Sequence, residues 1–325
     1  MSVLTAPAPP QQRGGVLGLI RRRPLLSFLV LANLLSWVAW IPYVLSDHGL
    51  GVWDFRFPGD EGGQLLGMLP GAYLGPIGSA LLVTAVADGR PGLRAWARRL
   101  WRWRVGWRWY VVILTGVPVA MVLSGLLFSG GEMHAPSTLA LVALVPALLG
   151  QMVTTGLAEE PGWRDFALPR AQRRFGPVRA ALLVGLVWGV WHLPLHLTVW
   201  GEWPDVPWFR PLEFIVFCIV FNIVMTWVFN RTGQSLPLAM LLHVSVNNTA
   251  SVLWADMFPG MDRDTFQHAL IVAAGVAAGV LRVRSRGRRG YGPDEEAPAP
   301  RPVPAVGAVP VPADRDRPVV PAPLS

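Results

Sequence analysis

The sequence predicts an all-α fold, a polytopic transmembrane bundle of about eight helices with both termini in the cytoplasm. Three observations carry this. Of 325 residues, 52% are hydrophobic and only 15% charged, against about 25% charged in soluble domains. The apolar residues fall in runs of about 20, the length that crosses a hydrocarbon core of roughly 30 Å. The arginines lie between those runs, almost all on alternate sides. The net charge of +8 is therefore a topology signal, and no nucleic-acid partner is expected.

The first run, 25–46, follows Arg21, Arg22 and Arg23. It is too long for the core of a signal peptide, and no small-residue cleavage pattern follows, so it is read as an uncleaved helix. Seven more runs follow, at 64–87, 109–129, 138–160, 179–200, 212–230, 235–255 and 266–283. With a cytoplasmic N-terminus, 22 arginines fall on the cytoplasmic side, and only Arg56, Arg210 and Arg263 on the other. That split satisfies the positive-inside rule and requires an even number of spans.

Between the second and third spans, Trp96, Leu100, Trp103 and Trp107 recur at helical spacing with Arg94, Arg98, Arg102 and Arg104 among them. This predicts an amphipathic helix over 91–108 lying at the lipid interface. The chain divides into a cytoplasmic N-terminal segment (1–24), a membrane domain (25–290) and a Pro/Ala-rich cytoplasmic tail (291–325) too poor in core-forming residues to fold. Every basic residue is Arg, which with heavy Ala, Gly and Pro usage suggests a bacterial source and a multi-pass plasma-membrane protein. Cys218 is the sole cysteine, so neither a disulfide framework nor a Cys-based zinc site is available.

Ionisable side chains inside such runs are costly and usually functional. Here they are Glu159, Glu160 and Arg164 near the end of the fourth run, His192 in the fifth, and His243 in the seventh. Glu160 and Arg164 are i,i+4 neighbours and can pair. Glu159 is rotated about 100° from Glu160 and faces elsewhere, free to take a proton. The alternative is a charge cluster at a helix end. His192 precedes Pro194, which breaks the helix and opens space beside the imidazole. His196 lies one turn on and is read as an interfacial histidine beside Trp200, the alternative being a metal ligand paired with His192. His243 and Asn247 share a face, which suits an oxyanion site or equally interhelical hydrogen bonding. Asn222 and Asn248 are assigned to packing. Gly185-x-x-x-Gly189 and Gly275-x-x-x-Gly279 read as small-residue packing faces. No His-Glu-x-x-His run, Gly-x-Ser-x-Gly elbow or Walker A loop is present.

Glu159-Glu160-x-x-x-Arg164, then Trp188-x-x-x-His192, then His243-x-x-x-Asn247 together resemble the CPBP family. That group comprises CAAX prenyl proteases and bacteriocin-processing or immunity-type proteins of the Abi class. The core motifs fall over 135–255, and Trp188 stands where the family usually has Phe.

The resemblance implies an intramembrane endopeptidase of the CAAX prenyl protease 2 type, acting on a peptide or membrane-protein substrate within the lipid bilayer. Glu159 and His192 would activate a water, His243 and Asn247 would hold the oxyanion, and Glu160 and Arg164 would support the site. Glu159, His192 and His243 also allow a zinc ion, and a metal-free route with Glu159 as base is equally open. A non-catalytic immunity or regulatory scaffold of the same fold is the alternative reading. The site is expected to open to the cytoplasm. For its groups to meet, the fourth helix is expected to begin near Pro146 and run past Pro161 toward Leu168.

Overall fold

The structure is a computed structural model and describes residues 15–285. The tail expected over 291–325 and residues 1–14 of the N-terminal segment lie outside the described residues. Eight helical segments are long and apolar enough to cross a membrane: α1 Pro24–Leu45, α2 Gly63–Ala87, α3 Trp107–Phe128, α4 Thr138–Phe175, α5 Pro177–Leu197, α6 Arg210–Arg231, α7 Leu236–Met257 and α8 Arg263–Arg284. No strand occurs among the described residues. The protein is an all-α, multi-pass membrane protein.

Helix α7 sits at the centre, with α3, α4 and α6 against it. Helix α5 packs on α6, which packs on α8, while α1 and α2 close the side occupied by α4 and α5. Small residues set the closest approaches. A Cβ on Gly185 or Gly189 would come within 2.8 Å of the α6 backbone at Ile219 and Ile215, so this pair is a packing face, as expected. The second pair is not. A Cβ on Gly275 or Gly279 would meet nothing within 4 Å, because that face of α8 turns away from the bundle.

Loop contacts sort the helix ends into two sets. On one side the His48 carbonyl accepts from the Val199 amide at 2.7 Å, and the Met257 carbonyl from the His134 amide at 2.9 Å. Arg210 joins Glu202 and Asp264 there. On the other side Arg21 donates to the Val86 carbonyl at 3.1 Å, Arg170 to Asp88 at 2.7 Å, and Arg99 to Asp165. The first set holds Arg56, Arg210 and Arg263, and the second holds the arginine clusters. The alternation read from the sequence is therefore the alternation of the fold.

The segment after α2 departs from expectation. The helix there covers only Gly89–Arg99, and the chain is non-helical until Trp107 opens α3. Trp96 is buried in protein, while Trp101 and Trp107 are exposed. One continuous amphipathic helix is excluded because the chain is pinned along its length. Arg99 is held by Asp165, Arg102 reaches the Gly233 carbonyl, and the Arg102 carbonyl accepts from Ser235 at 2.8 Å.

Helix α4 also differs. It begins at Thr138, not near Pro146, because Ser137 caps it by accepting from the Ala140 amide and also binds Asp256 of α7. It continues past Pro161 as expected, and on to Phe175. From the Ser137–Asp256 contact to the Glu160–His243 contact there are 23 residues on α4 and 13 on α7. At 1.5 Å per residue these are about 35 Å and about 20 Å. The excess lies before Gln151, since the Gln151–Ser251 and Glu160–His243 contacts are nine residues apart on α4 and eight on α7, so α4 approaches α7 obliquely from Ser137 and runs alongside it from Gln151. The oblique path, and not a late start, brings Glu159 to the histidines.

Candidate active site

The site is carried by α4, α5 and α7. Alternating π-helical and α-helical turns, common near functional sites, place Glu159 and Glu160 in a three-residue α-helical piece between two wide turns. The second wide turn packs directly on α2. A Cβ on Gly162 would lie 2.6 Å from the Pro76 carbonyl group, so only glycine permits that approach.

Within this segment the two carboxylates diverge, as their helical rotation requires. Glu159 Oε2 accepts from the Trp188 indole Nε1 at 2.8 Å and the residue lines the cavity described below. Glu160 is wholly buried. Its Oε2 lies 3.1 Å from Arg164 Nε, and its Oε1 accepts from His243 Nδ1 at 2.8 Å. Arg164 is equally buried, with its guanidinium carbon 4.9 Å from the centre of the Trp188 ring. A cluster at an exposed helix end is thereby excluded. The ion pair lies inside the protein, where losing either partner strands a charge.

The α-helical part of α5 ends at Trp191, and residues Leu193–Leu197 form a 3-10 turn. Pro194, which cannot donate, sets this break. His192 sits at the junction, its Nδ1 2.8 Å from the Trp188 carbonyl. A carbonyl can only accept, so Nδ1 carries the proton and Nε2 keeps its lone pair. The ring stacks on Trp200 at 5.7 Å and is edged by Trp191 at 4.6 Å and Phe214 at 4.9 Å. His196, buried near Trp200, makes no hydrogen bond through either ring nitrogen.

By the same reasoning His243 donates Nδ1–H to Glu160, leaving Nε2 toward the site. Asn247, one turn on, makes no side-chain hydrogen bond among the described residues. Asn222 and Asn248 donate to the Ala181 and Leu144 carbonyls at 2.6 and 3.1 Å, the packing roles expected of them.

Glu159, His192, His243 and Asn247 line one cavity of about 500 Å³, together with Trp188 and His196. Its outer lining includes Gln64, Gly201, Arg210 and Arg263, all at the arginine-poor ends of the helices. The cavity thus reaches the arginine-poor ends of the helices and not the arginine-rich ends at which its opening was expected, because Arg164, Asp165 and Phe166 fill the bundle there. Among the described residues no group of three or more His, Cys, Asp or Glu side chains is placed to hold a metal ion. Glu159, His192 and His243 share the cavity without forming such a set, so their arrangement does not fit zinc.

Two features go beyond the sequence motifs. Trp188 is more than an aromatic, since its indole N–H is the partner of Glu159. Glu160 holds His243 as well as Arg164. The first had a signal, since Trp188 differs from Phe by that donor; the second had none, because residues 83 apart meet only in the fold.

Residues 141–249 match a family model described as type II CAAX prenyl endopeptidase, Rce1-like. Over 145 residues the chain is 27% identical to a protein named CAAX prenyl protease 2 from Methanococcus maripaludis, covering 43% of this chain and 51% of that one. The chain thus spans about half the length of the curated relative it matches. All seven residues of the three motifs fall inside the matched segment. Residues 141–249, which carry Glu159, His192, His243 and Asn247 into this cavity, are thus similar to the Rce1-like group of type II CAAX prenyl endopeptidases.

Proposed function

We propose that the protein is an intramembrane endopeptidase that hydrolyses a peptide bond with a water activated by Glu159 and His192. The observation that carries this reading is the convergence of Glu159, His192, His243 and Asn247 on one enclosed cavity inside an apolar bundle. Its volume falls in the range of about 300–1,000 Å³ usual for ligand sites.

The chemistry follows from the hydrogen bonds. Trp188 holds one oxygen of Glu159, and the other receives a proton from water. The His192 Nε2 lone pair accepts the second water hydrogen and orients the nucleophile. Hydroxide adds to the carbonyl carbon, and Asn247 donates to the oxyanion that forms. His243 joins it as a donor when its ring is doubly protonated, with Glu160 as counter-ion and Arg164 behind it. Collapse breaks the C–N bond, and the proton on Glu159 passes to the departing amine.

Substrates of this kind are peptides or membrane-protein segments, and the name of the similar archaeal protein points to C-terminal CAAX peptides as one class. A bacterial plasma membrane with both termini cytoplasmic accords with the arginine placement. A zinc route through Glu159, His192 and His243 is the competing mechanism, and a chelator distinguishes the two.

The test is cleavage of a quenched peptide or membrane reporter by purified protein. Glu159→Gln should reduce turnover to background while the protein stays folded, and activity equal to the parent would overturn the reading. Phenanthroline in the same assay should leave the parent active; loss restored by added zinc would establish a metal route. Orientation is read by cysteine accessibility. Loops 48–63, 130–137, 201–211 and 256–265 should label from outside and 88–108 only from inside, and the reverse pattern would invert the topology.

A further inference from the structure

The catalytic groups continue as two polar stripes that the mechanism does not use. On α4, Gln151, Thr155 and Glu159 recur at four-residue spacing, and on α7 so do Ser251, Asn247 and His243. All six line the same cavity. The helices are antiparallel, so the stripes run in register, with Glu160 bonded to His243 at the catalytic end and Gln151 Nε2 to Ser251 Oγ at the other, 3.1 Å. Both helices widen into π-helical turns at this second rung, Met152–Leu157 and Thr249–Leu253.

Side chains of this kind midway along transmembrane helices need polar partners. The intramolecular set is incomplete: Gln151 Oε1 is buried without a partner, and Asn247 makes no side-chain hydrogen bond among the described residues. A polar ligand completes it. Its shape follows from the spacing. Nine residues of α4 and eight of α7 separate the two rungs, about 12–13 Å at 1.5 Å per residue. An extended peptide advances about 3.3 Å per residue and presents N–H and C=O groups along its length. Three to four residues fill the interval.

We propose that the cleft between α4 and α7 is a main-chain track that binds three to four extended substrate residues on one side of the scissile bond, with Gln151 and Ser251 anchoring the far end. The proposal rests on the endopeptidase reading and adds a substrate geometry. Recognition through backbone groups makes peptide length, and not side-chain identity, the main determinant of binding along this track.

The competing use of the same stripes is a path for water. The experiment takes full-length protein in detergent with fluorogenic peptides lengthened one residue at a time on either side of the cleaved bond. For the parent, KM should fall about tenfold on one side, up to the third or fourth residue, and then stop changing. In Gln151→Leu and in Ser251→Ala that gain should shrink to about threefold or less while kcat on the longest peptide stays within about twofold. A fall in kcat independent of peptide length would overturn the track in favour of water supply, as would a parent KM indifferent to length. Ser251 is exposed, so Ser251→Ala keeps the test open if Gln151→Leu fails to fold.

Failure of the catalytic reading is separated by polarisation binding of the same labelled peptides to Glu159→Gln protein, alone and combined with Ser251→Ala. Length-dependent binding lost with Ser251, without cleavage by the parent, would support the track and overturn the protease. Cleavage by the parent with binding indifferent to Ser251 and Gln151 would do the reverse.

Discussion

Helix α4 has two halves in opposite surroundings. From Thr138 to Gln151 it turns Leu139, Val142, Val145 and Leu149 outward, with Leu139 78% and Val142 68% exposed. From Ala158 to Leu168 every residue is buried, two carboxylates and an arginine among them. The first half is exposed and apolar, a surface suited to lipid, where any apolar side chain is at home. The second is enclosed by α2, α5 and α7, where each charge needs a named partner and each close approach a fitting side chain. One helix thus holds a permissive half and a constrained half, and the difference is set by what surrounds it, not by helix propensity.

The sharpest test of that contrast is Glu160→Gln. It leaves Arg164 buried without its counter-charge and weakens the hold on His243, a loss on the order of 3–5 kcal/mol for a buried pair broken on one side. Both the yield of detergent-stable protein and the activity should fall. Normal stability with a mild activity change would show that Arg164 is solvated and that the constrained half is less enclosed than its burial indicates.

A smaller effect belongs to Asn247→Ala, on the helix facing the constrained half. Its side chain makes no hydrogen bond among the described residues, so folding should be unaffected while turnover falls by about 10²–10³, the usual loss of one oxyanion donor. Loss of stability instead would reassign Asn247 to interhelical packing. The smallest effect is expected in the permissive half. Val142→Leu should change stability by no more than about 0.5 kcal/mol and leave peptide cleavage as it was, measured by thermal unfolding in detergent and the same reporter assay. A large loss there would mean that this face is covered by protein.

Much of this was legible in order along the chain. Seven of the eight spans emerged from apolar run length within a few residues of their observed ends, the fourth running to Phe175 where its apolar run stops at 160, and the alternation emerged from arginine placement, because both are one-dimensional consequences of a bilayer about 30 Å thick. The divergence of Glu159 from Glu160 and the break at His192 were equally readable, since helix rotation and a following proline act locally. The Glu160–Arg164 pairing was legible for the same reason, being one turn apart.

What the sequence left open is everything that depends on the paths of separate helices. A start for α4 near Pro146 was inferred by treating the spans as parallel rods, and the oblique course of α4 removes the need for it. The amphipathic pattern over 91–108 was real, but Asp165, Gly233 and Ser235 come from distant parts of the chain to pin that segment, so it could not remain one helix. That the cavity reaches the arginine-poor helix ends was not legible, because which end is filled depends on how tightly Arg164, Asp165 and Phe166 are packed by other helices. Hydropathy and spacing decide which residues must avoid lipid and which share a helical face. Only the tertiary structure decides which of those faces meet, because that depends on helix tilt and close approach between residues far apart in the chain.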